Sequence, residues 1–282
     1  MFHKRRLVPL GAVAAALVFG AGVFGAVHVL RSEESPTPAF VAQPAPRPGV
    51  LPNLGGVTAP IAPPGHVAVA KAPVSVRYTF DRGVGQPITD VAGGHPLHPM
   101  GLKGGNLRLV RQGAGLAVGY PSRCTLRQAA ECPRAILEGR RDDSLNPGLR
   151  PMAYGASVLM TPQDLADGAN VLQKGYSVGR GTQFKLQVDH LQGHPSCVIA
   201  GNRIHRAEPR INIADGAWHD VTCVRSRTRL SVIVDGVVRA SAPLPPTLSI
   251  ANAEPLRIGG KGTNSGNDQF AGQIDNVFLT ID

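Results

Sequence analysis

Beyond residue 74 the chain is a succession of short segments in which apolar and polar residues alternate with period two. The first, Val76-Arg-Tyr78-Thr-Phe80-Asp81, reads as a half-buried strand with one apolar and one wet face. Leu107 to Tyr120 holds two more, followed by Arg134–Glu138, Tyr154–Met160, Asn170–Gly175, Phe184–Val188 and Cys197–Ala200. Leu230–Val234 and Val237–Ala240 flank Asp235-Gly236, a dipeptide that suits the positive φ angles of a two-residue hairpin. Leu256–Gly259 and Gln273–Ile281 close the series. About a dozen strands at spacings of roughly eight to twelve residues predict an all-β antiparallel sandwich. The 34 glycines and the lack of a long amphipathic helix agree with this. Thr161 to Asp167 reads as one helical turn, and no internal repeat is present.

The preceding residues follow other rules. Residues 1–6 form a basic end finishing in Lys4-Arg5-Arg6, and 7–30 carry no charge. As a helix that stretch spans about 36 Å, against roughly 30 Å of bilayer hydrocarbon. A transmembrane signal anchor is expected over 7–30. Secretion after cleavage of a signal peptide near Gly25 is the alternative, opposed by an apolar run that continues to Leu30. Basic residues before the span put the N-terminus inside and everything after Arg31 outside. Residues 31–74 read as a proline-rich linker, with ten prolines between positions 32 and 75. Proline fixes φ near polyproline II and removes a donor, so the segment is a semi-rigid spacer holding the 75–282 domain away from a membrane.

The export reading changes how charge and cysteines are taken. The formal charge of +10 falls to +6 over residues 76–282, where 23 basic residues oppose 17 acidic ones. No dense basic run is present, and the export and 5% aromatic content disfavour nucleic acid as a partner. The four cysteines, Cys124, Cys132, Cys197 and Cys223, are an even number in an exported chain and suggest two disulfides. Three pairings are possible; spacing prefers Cys124–Cys132 and Cys197–Cys223.

Several segments in sequence order then carry a resemblance: Tyr78-Thr-Phe80-Asp81, Asp90-Val-Ala-Gly93, Asn170-Val-Leu-Gln-Lys174-Gly175, Gly216-Ala-Trp218-His-Asp220-Val221, Val232–Val237, Leu256–Gly260 and Phe270-Ala-Gly272-Gln-Ile-Asp275-Asn-Val277. Together they resemble a laminin-G-like (LamG), concanavalin-A-like jelly-roll domain of a secreted or membrane-anchored bacterial type. The resemblance implies a β-sandwich that binds rather than catalyses. Trp218, Gly259, Gly260, Phe270 and Gly272 are its structural markers. Trp218, the only tryptophan, is expected to pack in the core, with stacking on a sugar as its alternative. Gly259-Gly260 is expected at a sharp turn where no side chain fits. Asp275, between Ile274 and Val277, is expected to point away from the core.

The resemblance also implies calcium as the candidate cofactor, with Asp81, Asp90 and Asp275 as metal ligands. A glycoside hydrolase or lyase of the same fold is the enzymatic reading, and it needs two facing carboxylates. None of the six glutamates fits the Glu-x-Asp-x-(x)-Glu strand of such glucanases, so no catalytic residue is assigned. His95-x-x-His98 and His190-x-x-x-His194 lack a helix and a companion Glu and read as solvated loop histidines. Arg225, Arg227 and Arg229 read as a solvated hairpin tip, with an anion site as the alternative. The expected function is a non-catalytic, membrane-tethered module outside the cell that recognises glycan or another envelope polymer. Its rival is a protein–protein adhesion module that binds an envelope protein.

Overall fold

A computed structural model describes residues 71–85, 87–178, 181–189 and 191–282. The expected basic end, the anchor over 7–30 and nearly all of the linker lie outside these residues, as does His190. Among the described residues no helix is long and apolar enough to cross a membrane.

The alternating segments form strands β1 (Val74–Tyr78), β2 (Leu97–Leu102), β3 (Arg108–Gln112), β4 (Gly115–Gly119), β5 (Arg134–Arg141), β6 (Met152–Leu159), β7 (Ala169–Gly175) and β8 (Gln183–Asp189). They continue as β9 (His194–Ala200), β10 (Ile204–Ala207), β11 (Trp218–Arg225), β12 (Arg229–Val234), β13 (Val237–Pro243), β14 (Pro255–Ile258) and β15 (Gln273–Ile281). Every pairing between them is antiparallel. One sheet runs β13-β12-β11-β6-β15-β4-β3, with β1 also paired to β15; the other runs β10-β9-β8-β7-β14-β5-β2. The expected helical turn is a short 3-10 helix, Pro162–Asp164, closed by a Thr161/Asp164 capping box.

Period two decides which residues fill the space between the sheets. Tyr154 and Phe184 meet there with ring centroids 5.1 Å apart, and Tyr120 meets Phe270 edge-on at 5.5 Å. The cysteines pair as spacing preferred, Cys124–Cys132 and Cys197–Cys223. The second bridge joins β9 to β11, one strand from each sheet, through the core. Gly259 has φ +88°, and a Cβ there would lie 1.9 Å from the Tyr120 ring, so the expected turn admits glycine alone. Gly272, at φ +110°, passes so close to Leu159 O that a Cβ would sit 2.4 Å from it.

Lys174 and Arg225 are buried inside this frame. Lys174 Nζ donates to Asn252 O (3.0 Å), Asn252 Oδ1 (3.2 Å) and Glu254 O (2.7 Å). Burial lowers its pKa to about 8, although nearby Asp143, Asp142 and Glu254 favour the charge. Arg225 donates to Gly148 O at 2.8 Å and to Leu248 O. This corrects the solvated hairpin tip for Arg225: it is 1% exposed, because Val221, Cys223 and Arg225 share the inward face of β11. Both side chains fasten carbonyls of the loops that flank the strands.

Candidate functional site

Each sheet has an outer face, and the two differ in what they leave free. On the β10–β2 sheet, Asn170 and Gln173 have no exposed surface, and the segment after Gly259 returns beside them. Asn170 N–H donates to Asp268 O (2.9 Å), and Tyr176 Oη donates to Lys261 O (2.8 Å). The charges on this face are largely matched within the fold. Arg257 pairs with Glu138 (2.6 Å) and Glu254 (3.1 Å), and Arg206 with Asp189 and Glu208 (3.3 Å each).

The outer face of the other sheet holds an open depression of about 460 Å³. Its principal walls are Arg77 (β1), Ser157 (β6), Trp218 and Asp220 (β11), and Asn276 and Phe278 (β15). Register brings these distant residues together. Asp220 of β11 and Asp275 of β15 both stand opposite Ser157, forming one row across three strands. Ser157 Oγ donates to Asp220 Oδ1 at 2.5 Å. From Asp275 to Phe278 β15 advances three residues while β6 goes from Ser157 to Gly155, so Asn276 is the extra residue of a bulge, at φ +49°. Asparagine tolerates that conformation better than most residues. The bulge aims Asn276 at the depression, where its Oδ1 accepts from Arg77 Nη2 (3.3 Å). Phe278 faces Gly155, and a Cβ on that glycine would lie 2.8 Å from the ring.

Trp218 is where the sequence expectation fails. It is half-buried and pairs with Leu159 on the outer side, while Val221 and Cys223 pair with Ala156 and Tyr154 on the core side. Trp218 lies three and five residues before those inward positions, an odd separation, and so takes the opposite face. The tryptophan lines the depression instead of packing in the core.

The three expected metal ligands separate. Asp275 points outward as expected but lies beneath Asn276, whose N–H and Nδ2 donate to its two oxygens at 2.6 and 3.0 Å. Asp81, exposed, accepts from Leu116 N–H at 2.9 Å, and its charge still reaches Asp275. Asp90 is enclosed near Tyr78, with Oδ1 accepting from His95 N–H at 3.0 Å and Oδ2 buried without a partner. Among the described residues no three His, Cys, Asp or Glu side chains form a group that could hold a metal. His95 is no solvated loop residue: its ring nitrogen lies 2.9 Å from Asp142.

Burial raises the Asp275 carboxyl to about 6; the Asn276 N–H opposes this, while the Asp81 and Asp220 charges add to it. A carboxyl that holds its proton more tightly folded than unfolded contributes stability at low pH, and that contribution fades as pH rises from about 4 to about 6. Asp275→Asn is therefore expected to remove one falling component from the melting temperature across that window. Carboxyls held low, such as Asp142, act with the opposite sign, so the readout is the difference between the wild-type and variant melting curves.

Comparison with known proteins agrees with this architecture. A laminin G family model described as the concanavalin A-like lectin/glucanases superfamily matches residues 149–279. Over that stretch the chain is similar to concanavalin A-like domains of the laminin-G type. Among solved structures, domain 4 of AbnA, a GH43 extracellular arabinanase from Geobacillus stearothermophilus in complex with arabinotriose, superposes with a TM-score of 0.55 at 15% identity. That match covers 73% of this chain and 91% of the other. The binding domain of Paraclostridial Mosquitocidal Protein 1 gives 0.53 at 12% identity, covering 72% and 48%. The binding domain of Botulinum neurotoxin DC, in complex with rat synaptotagmin II, gives 0.50 at 10%, covering 72% and 47%. At such identities the likeness is one of fold, and the chain spans about half the length of the two toxin domains. No curated protein matches the chain in sequence.

Proposed function

We propose that the domain is a non-catalytic glycan-binding module whose site is the Trp218 depression. The observation that carries this reading is a half-buried tryptophan on the wall of an open hollow beside Arg77, Asn276 and Asp220. An aromatic face covers the C–H side of a sugar ring, and planar amide, carboxylate and guanidinium groups bind hydroxyls in pairs. The arabinanase domain, whose structure holds arabinotriose, gives the fold a sugar-bound precedent. Asp220 and Asp275 share a row, but Asp275 is 7% exposed and bound through both oxygens by Asn276, which does not suit an acid waiting for a leaving group. A glycan array probed with the full chain tests the reading. Sugar-dependent binding supports it, a blank array removes it, and release of reducing sugar makes the domain an enzyme.

The protein-partner reading has its own observation. Val237 and Val238 are 49% and 61% exposed on β13, an edge strand whose sheet is open on that side. A blank array together with a captured envelope protein favours it.

Calcium belongs to this proposal at one place only. Asp81 and Asp90 line a pocket of about 450 Å³ in the loop after β1, where the unpartnered Asp90 Oδ2 is a hard oxygen donor. Calcium is expected to raise the melting midpoint and a chelator to reverse it; an unchanged midpoint removes the ion. The export and tethering through residues 7–30 rest on the sequence and are tested by membrane fractionation with N-terminal sequencing.

A further inference from the structure

His219 lies between two carboxylates, one on each ring nitrogen. Nδ1 is 2.8 Å from Asp235 Oδ2, and Nε2 is 3.1 Å from Asp215 Oδ1. Ionised carboxylates only accept, and a neutral imidazole has one N–H, so only the imidazolium satisfies both contacts. A neutral ring leaves one bare nitrogen facing an oxygen anion.

The two acids belong to different turns. Asp215 precedes Gly216 (φ +88°) in the turn leading into β11, and its Oδ1 also accepts from Ala217 N–H at 2.9 Å. Asp235 has φ +52° and forms the β12–β13 hairpin tip with Gly236; its Oδ1 accepts from Asp220 N–H at 2.9 Å. Trp218 and Asp220 are the immediate neighbours of His219, and Asp235 itself lines the depression.

We propose that His219 is a charge-dependent clasp for the Trp218 end of the depression: protonated, it holds the Asp215 turn to the Asp235 hairpin tip, and neutral, it releases one of them. This regulation rests on the depression being the glycan site, but the clasp itself is testable without a ligand.

Burial works against the imidazolium, but the hydrogen bonds to Asp235 and Asp215 outweigh it and raise its pKa above 6.5. Asp235 is lowered despite its own partial burial, through His219, the Asp220 N–H and the Arg239 charge on β13. Asp215 is lowered by the Ala217 N–H and then by His219. On the β6 side, His219 pairs with Val158, which is uncharged. The clasp is therefore fully closed below about pH 6.5 and opens as pH rises through the higher folded value.

Trp218 is the chain's only tryptophan, so its fluorescence reads the clasp directly. The full chain, free of ligand, is titrated from about pH 5 to about pH 9. The wild type is expected to show a transition with its midpoint above 6.5. His219→Gln loses it, and Asp215→Asn, changed at a half-exposed side chain that spares the core, moves the midpoint down. A midpoint at or below 6.5, or the same transition in a His219→Gln protein that still melts cooperatively, overturns the clasp. Once the array has named a glycan, affinity is expected to fall through the same midpoint in the wild type and to ignore pH in His219→Gln. A blank array removes the glycan reading and leaves the fluorescence result standing, whereas a flat titration removes only the clasp.

Discussion

Trp218→Ala is expected to lower affinity for the glycan named by the array about 30-fold, the loss of roughly 2 kcal/mol typical of a central aromatic anchor. The same substitution is expected to move the melting midpoint by no more than about 2 °C, as for a surface change worth within about 0.5 kcal/mol. These two results together distinguish the outer face from the core. A tryptophan packed between the sheets costs about 3–5 kcal/mol on truncation, which in a domain of this size lowers the midpoint by roughly 6–20 °C. Titration calorimetry and a melting curve on one preparation read both. A large loss of stability places Trp218 inward, against its pairing with Leu159. Unchanged affinity at unchanged stability moves the glycan off the depression. Trp218→Phe is expected to recover part of the affinity, because a smaller aromatic face remains to stack.

The contrast between Trp218 and its neighbours shows what the sequence makes legible. β15 runs Gln273–Ile281 as the alternation predicts, and the Asp235-Gly236 dipeptide sits at the expected tip between β12 and β13. Inner strands paired on both sides need an apolar face, and that need is written in period two. Of the strands the alternation does not reveal, β2 and β10 are edges, while the central β11 is marked only by the resemblance around Trp218. β2 even contains Pro99, whose missing donor is tolerated there and would not be in a central strand. Residue type alone puts Trp218 in the core, whereas its odd distance from Val221 and Cys223 sets it on the outer face. The site as a whole was less accessible. Arg77, Ser157, Asp220 and Asn276 come from four strands, and only the pairing register places them side by side. The bulge that turns Asn276 into the hollow and seats Asp275 beneath it has no single-residue signature. The same holds for Lys174 and Arg225, whose partners are backbone carbonyls in remote loops.

Replacing Cys197 and Cys223 together by alanine is expected to give the largest loss of stability in the domain. The bridge spans a sequence separation of 26, and loop-closure entropy alone makes such a link worth about 3.6 kcal/mol. Both residues have no exposed surface, so the alanines also leave a small void between β9 and β11 that the packed sheets cannot close. At roughly 2–4 °C per kcal/mol, the midpoint falls by at least about 7 °C, read by thermal melting of unreduced protein. The Cys124–Cys132 bridge is a useful control. It closes a loop with a sequence separation of 8, for which the same relation gives about 2.6 kcal/mol. That loop is further fixed by Arg134 donating to Ala129 O and Ala130 O, and its Ala129–Glu131 turn buries no residue. Its removal is therefore expected to cost less than the entropic figure and to leave Trp218 fluorescence unchanged. Loss of the Cys197–Cys223 bridge, by contrast, is expected to weaken glycan binding as well, because β11 carries both Cys223 to the core and Trp218 to the depression. Equal destabilisation by the two double variants would mean that the core bridge adds less than its loop-closure entropy and that the sheets are held together without it.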